Sequence, residues 1–420
     1  MSVQVRVPQI FRRHTGGAKT VVVEGMTVRD ILENLDKAHP GLRDRLLDGK
    51  ELHRFVNIYR NDEDIRFLKF LDTEVQEGDV ISILPAVAGG VRVPTRKKAI
   101  GGRKTAGGPR PAADTVDAIG NTPLVEVQRI SPKSSVRIFC KLEFYNPTGS
   151  LKDRIAKYMV EEAERRRLLT PGQTIIEPTS GNTGISLAMI GRRKGYKVKV
   201  VVPENITVER RQLLELYGAE IIYSDARRGT NGAIEVAKKM ATLNRDWYMP
   251  YQYGNAENVR AHYETTGAEI LAALPHVDAF VAGLGTGGTL MGVGRRLKEV
   301  NPKTQVIAVE PHPGDLVQGL RSLDEGFIPP ILDLSLLDGK FLVDSRCAFA
   351  LTRDLTRKEG IFAGVSSGAV LHAAIRMAHK MNKGNIVCLL ADGGWKYVSL
   401  GVWAKELPDL GEDVYSHIWW

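Results

Sequence analysis

Cysteine is scarce: there are three in 420 residues, Cys140, Cys347 and Cys388, an odd set without metal-ligand spacing. A disulfide framework and a Cys/His metal site are therefore excluded, and reduced thiols in cytosolic surroundings are expected. Long apolar runs are missing too. No stretch approaches the roughly 20 residues that span a bilayer. Residues 1–6 lack the apolar core of a secretory signal, so a cytoplasmic location without a membrane partner is expected. Acidic side chains are absent from residues 91–113, which hold Arg92, Arg96, Lys97, Lys98, Arg103, Lys104 and Arg110. Without those seven the balance is 51 basic to 49 acidic, so the net charge of +9 belongs to one segment. A nucleic-acid partner is not expected from so local a basicity.

What is present divides into three parts: residues 1–90, a linker at 91–113, and residues 114–420. In the first, Val3, Val5 and Val7 alternate with polar residues and 20–23 is a second β-rich run. Thr27 and Asp30 make a helix-capping pair; Val28, Ile31, Leu32 and Leu35 follow at helical spacing until His39-Pro40. Segments 55–59, 65–70 and 80–84 are further strand candidates. Strands, helix, then strands is the order of a small α+β β-grasp, here ending in Ala86-Val87-Ala88-Gly89-Gly90. The Gly-, Pro-, Lys- and Arg-rich linker buries no apolar surface and is expected to be disordered and open to proteases.

From residue 114 onward, strands predicted at 136–141, 174–177, 198–202, 220–223, 279–283, 305–309 and 385–390 alternate with amphipathic helices. That pattern is α/β and doubly wound, with ligands at the carboxyl ends of strands. Four loops carry the chemistry. Asn146-Pro147-Thr148-Gly149-Ser150-Leu151-Lys152 sets a lysine just inside a helix start, where Ser150 is placed to cap; Lys157 on the same helix reads as a solvated lysine. Thr179-Ser180-Gly181-Asn182-Thr183-Gly184 joins a strand to a helix, and its hydroxyls and amides suit a carboxylate. Gly285-Thr286-Gly287-Gly288-Thr289 opens another helix, where glycine backbone and free amides suit a phosphate. Gly364-Val365-Ser366-Ser367-Gly368 precedes a third helix, with Ser366 as an N-cap candidate.

These four loops, in this order, resemble the β-family of pyridoxal-phosphate enzymes, cysteine synthases in particular, over about residues 117–397. The resemblance implies the two-lobed fold type II, pyridoxal 5'-phosphate as cofactor, and an amino-acid substrate. It implies that Lys152 bonds the cofactor's aldehyde and acts as the base. Gly285, Thr286, Gly287, Gly288 and Thr289 would hold the phosphate, and Asn182 and Ser366 would face the ring. Thr179, Ser180, Gly181, Asn182, Thr183 and Gln252 would bind the carboxylate. Arg321 stands where O-phosphoserine-using members carry an arginine, a bidentate partner for a phosphate leaving group; otherwise it is a surface arginine. Residues 1–90 resemble ubiquitin-like sulfur carriers, which work through a thiocarboxylate on a terminal glycine, here Gly90. Since Gly90 is followed by Val91, a protease and a sulfur-activating enzyme are implied partners. The expected activity is cysteine biosynthesis from O-phosphoserine by a homodimer. The alternatives are an acetylserine-using synthase or a cystathionine β-synthase, using free sulfide or homocysteine, with the first unit regulatory. The tail at 413–420 is either a lid or a dimer contact.

Overall fold

The computed structural model describes residues 1–48, 51–53, 56–85, 111–179, 181–323 and 327–404. Gly90, Ser180, most of the linker and the aromatic tail lie outside these residues.

The first unit is a β-grasp. Strands Ser2–Arg6 and Thr20–Glu24 pair antiparallel, and Ser2–Arg6 pairs parallel with Val80–Pro85. Helix Val28–Ala38 crosses them, started by a complete Thr27–Asp30 capping box. Its Val28, Ile31, Leu32 and Leu35 pack with Val3, Val5, Ile58 and Ile81 in a core of the unit's own. The predicted strand at 65–70 is instead two 3-10 turns, Ile65–Phe67 and Phe70–Asp72. The Asp64 carboxylate accepts from the Arg66 N–H, and Phe70 has φ 55°, both incompatible with an extended run. The strand predicted at 55–59 is Val56–Arg60.

The remainder forms two lobes. In one, Glu220–Ser224, Lys197–Pro203, Thr174–Pro178 and Trp247–Tyr248 make a four-stranded parallel sheet. In the other, Gly339–Val343, Gln305–Pro311, Ala279–Gly283, Gly384–Leu390 and Val136–Leu142 lie side by side, all parallel. Runs such as Ile386-Val387-Cys388-Leu389-Leu390 are apolar throughout because helices cover both faces. Helices Gly288–Val300 and Ser366–Lys380 are among these.

The two units share one sheet, which the sequence does not announce. Asn61 and Asp62, at φ 47° and 69°, turn a two-residue hairpin between Val56–Arg60 and Glu63–Asp64. Glu63 then pairs antiparallel with Phe341, giving eleven strands in all.

Candidate active site

The carboxyl ends of Val136–Leu142, Ala279–Gly283 and Gly384–Leu390 lead into loops that meet the small lobe across a cleft. Its volume is about 660 Å³ including the mouth, and Lys152, Asn182, Thr286, Arg321, Ser366 and Asp392 all line it. The lysine turn is held from below. Asp153 accepts from the Thr148 N–H at 2.7 Å and the Ser186 hydroxyl at 2.6 Å, and Gly149 takes φ 78° against the Trp395 ring. Ser150 Oγ accepts from the Lys152 N–H at 3.3 Å in front of helix Lys152–Arg165, but Leu151 holds the cap position, so the Ser150 cap reading does not hold as such. The Lys152 amine has no hydrogen-bond partner among the described residues. Burial lowers its pKa to about 8, opposed by the nearby Asp392 carboxylate. Lys157, read as solvated, is half-buried and donates to the Val116 carbonyl.

Loop 285–289 sits where the backbone needs room. Gly287 has φ 86°, and a Cβ on Gly288 would lie 1.9 Å from Asn258 Oδ1. Thr286 Oγ1 accepts from Asn258 Nδ2 at 3.0 Å, and Thr289 Oγ1 is 3.2 Å from His262 Nε2. Burial, with Lys152 and Arg154 nearby, pushes His262 well below its ordinary pKa, so its imidazole is neutral.

On the facing side both ends of the Asn182 amide are fixed. Nδ2 donates to Asp392 Oδ2 at 2.7 Å and Oδ1 accepts from Lys396 Nζ at 2.7 Å. The Tyr397 hydroxyl also donates to Asp392 Oδ2, and Arg210 donates to that hydroxyl. Burial brings Lys396 down to about 8 as well, against the raising effect of Asp392 and Asp153. Gln252 accepts from the Thr183 hydroxyl at 2.7 Å and donates to the Pro178 carbonyl. Buried Glu177 fixes this turn by accepting from the Tyr251 and Gln252 N–H groups. Thr179 and Gly181 belong to the same rim: Thr179 Oγ1 accepts from the Gly181 N–H.

Ser366 lies in the cleft as the first residue of its helix; Val365 holds the cap position, so the N-cap reading does not hold. Arg321 is no surface arginine. It is 7% exposed, donates to Asn231 Oδ1 at 3.1 Å, and stacks on the Phe327 and Tyr253 rings at 4.7 and 5.5 Å. Sequence reasoning missed Asp392, Lys396, Tyr397, Arg210 and Glu177. Asp392-Gly393-Gly394, directly after a buried strand, is the signal that could have found the first.

With this geometry in place, residues 115–392 match the family described as pyridoxal-phosphate dependent enzyme. The chain belongs to the pyridoxal-phosphate-dependent enzymes. Residues 5–90 match the ThiS family, the ubiquitin-like sulfur carriers. A probable cysteine synthase of Bacillus subtilis is 42% identical over 304 residues, 70% of this chain and 98% of that protein. A cysteine synthase of Staphylococcus aureus is 39% identical, covering 71% and 99%. Among solved structures, a hydrogen sulfide-producing enzyme from Fusobacterium nucleatum is 40% identical with TM-score 0.66, covering 68% of this chain and all of that one. An O-ureido-L-serine synthase is 37% identical with TM-score 0.65, covering 71% and 95%. The second part of this chain is thus a cysteine-synthase-like enzyme using pyridoxal phosphate.

The residues present fit that cofactor. The Lys152 amine and Asp392 Oδ1, both at the cleft, have no hydrogen-bond partner among the described residues, and the glycines leave the space a phosphate needs. Uptake of the aldehyde by apoprotein requires the neutral amine, which becomes the minor form below about 8. The uptake rate should therefore rise with pH and level off above about 8. In Asp392→Asn the raising charge is gone, so the midpoint should move to lower pH. Stopped-flow absorbance checks both; a rate flat from about pH 6 to pH 10 would discard the assignment.

Proposed function

We propose that this enzyme makes cysteine from O-phosphoserine with sulfur carried as a thiocarboxylate on Gly90, after a protease has cut behind that glycine. The observation that carries the substrate half is Arg321, a guanidinium fixed inside the cleft by Asn231 and two aromatic faces. Such a fork pairs bidentately with a phosphate and has no like partner in an acetyl ester. The ThiS-family match, running to residue 90, supports the carrier half.

In this reading Thr179, Ser180, Gly181, Asn182, Thr183 and Gln252 hold the substrate carboxylate. Gly285, Thr286, Gly287, Gly288 and Thr289 hold the cofactor phosphate, and Ser366 faces the ring nitrogen. Pyridoxal phosphate, when bound, supplies an electron sink for the bonds at the substrate α-carbon. Lys152, a neutral amine, takes the α-proton and later returns it. The Cβ–O bond breaks with its electron pair leaving on phosphate, toward Arg321. The carrier's sulfur forms the new Cβ–S bond. Water then cleaves the acyl–sulfur bond, releasing cysteine and the Gly90 carboxylate. A homodimer in the cytoplasm completes the reading, with residues 1–90 as carrier, 91–113 as linker and 114–420 as enzyme.

Arg321→Ala should lower kcat/KM for O-phosphoserine about 10²-fold or more, as loss of a buried charged hydrogen bond implies, and leave O-acetylserine nearly untouched. Unchanged O-phosphoserine turnover in the variant would discard Arg321's role and favour the acetylserine or cystathionine β-synthase reading. For the carrier, intact mass of protein from its own host should reveal a fragment ending at Gly90. Full-length chain alone, with no thiocarboxylate formed, would make the first unit regulatory.

A further inference from the structure

The hairpin that joins the two units fixes where the carrier's end points. Antiparallel pairing at Glu63 is reinforced by the Leu342 N–H donating to the Asp62 carbonyl at 2.9 Å. Arg376 donates to the Asn61 carbonyl at 2.7 Å. Around the hairpin three acids meet a basic fringe: Asp62 lies 3.2 Å from His312, Glu63 pairs with Lys380, and Asp64 lies 3.9 Å from Lys340. Phe67 packs into the enzyme's core behind them.

The register through the sheet is continuous. Gly283, two residues before Gly285 of the phosphate loop, pairs with Val309, Val309 with Phe341, and Phe341 with Glu63. Glu63 pairs in turn with Arg60, and Arg60 with Ile81. Ile81 is thus five strands away from Gly283, about 24 Å at about 4.8 Å per step. This is a length along the sheet, and Pro85, four residues beyond Ile81, lies about 13 Å further down its strand. Lys152 follows a strand that lies two steps further on. The direction is unfavourable as well. Val80–Pro85 runs antiparallel to Val56–Arg60, which runs the same way as the enzyme's parallel strands. The chain at Pro85 therefore heads away from the strand ends that carry the site. From Pro85 to Gly90 are five residues, which reach about 18 Å when fully extended.

We propose that strand Gly339–Val343 and its basic fringe are a holding site for the chain's own carrier. Docked there, the carrier stays beside the enzyme with Gly90 out of reach of the cleft, and sulfur is delivered only after the hairpin leaves that strand. This rests on the carrier reading above and adds a step to it. Measured along the sheet, five residues fall about 6 Å short of the strand of Gly283, and the tail starts at Pro85, further off still.

The test uses holoprotein cut after Gly90, both parts retained, with the thiocarboxylate in place. Glu63→Cys with Phe341→Cys locks the hairpin, because facing residues of an antiparallel pair have the spacing a disulfide needs. Cysteine formation is measured from carrier-borne sulfur and, separately, from free sulfide. The oxidised lock should lose carrier-borne transfer at least about tenfold, keep sulfide turnover, and recover on reduction. Lys380→Glu, which repels Glu63, should transfer at least as fast as the unaltered protein. Transfer at the same rate with and without the lock, or slower transfer in Lys380→Glu, overturns the holding site alone. No transfer from the unlocked protein, with sulfide still used, removes the carrier reading and this inference with it.

Discussion

Lys152→Ala is expected to bind pyridoxal phosphate only reversibly and to lose turnover by at least about a thousandfold. That is the scale of removing a positioned acid–base group, here compounded by loss of the covalent anchor. The amine is suited to the task because burial holds it near 8, so a sizeable neutral fraction exists at physiological pH. Lys396 is the internal control: burial brings it near 8 as well, but its ammonium is engaged with Asn182. Borohydride reduction followed by peptide mapping separates them. The pyridoxyl label should sit on Lys152 in the unaltered protein and be absent from Lys152→Ala. A label on Lys396 in the unaltered protein would refute the assignment.

Arg154→Ala should cost about 3–5 kcal/mol in chemical denaturation, the range for leaving a buried charge without its partner. Arg154 is 1% exposed and Glu143 is fully buried. The guanidinium donates to both Glu143 oxygens at 2.7 and 3.0 Å, to Glu269 at 2.6 and 2.8 Å, and to the Thr122 hydroxyl. Lys141 adds a second cation on Glu269 at 2.7 Å. The cluster ties the helix bearing Lys152 to the strand before it and to helix Gly267–Ala273, so the loss should reach the cleft as weaker cofactor retention. Arg154→Met combined with Glu143→Leu should recover part of the stability, since it removes both charges together. If Arg154→Ala alone unfolds within about 1 kcal/mol of the unaltered protein, the cluster does not anchor that helix.

The sequence made the strands and the four loops legible because each is local. Buried parallel strands are continuous apolar runs, and a glycine-rich turn after such a run marks a phosphate-sized space. The network that holds Asn182, made of Arg210, Asp392, Lys396 and Tyr397, was not legible, for its members come from separate segments with no spacing in common. The segment 65–70 misled because Ile65, Phe67 and Phe70 look β-prone, whereas Asp64 and a left-handed Phe70 bend it. Nothing local sets Asp62 and Glu63 apart, since a solvated hairpin and one paired with a distant strand read alike in sequence.

That pairing also bears on solubility. In the intact protein Gly339–Val343 is an interior strand of the sheet, flanked by Glu63–Asp64. Were the first unit to leave as proposed, the outward backbone N–H and C=O groups of this strand would be bare, a template on which another chain can add. The basic residues crowded beside it, Lys340, Arg376 and Lys380, then act as a deterrent, because two such edges meeting would bring like charges together.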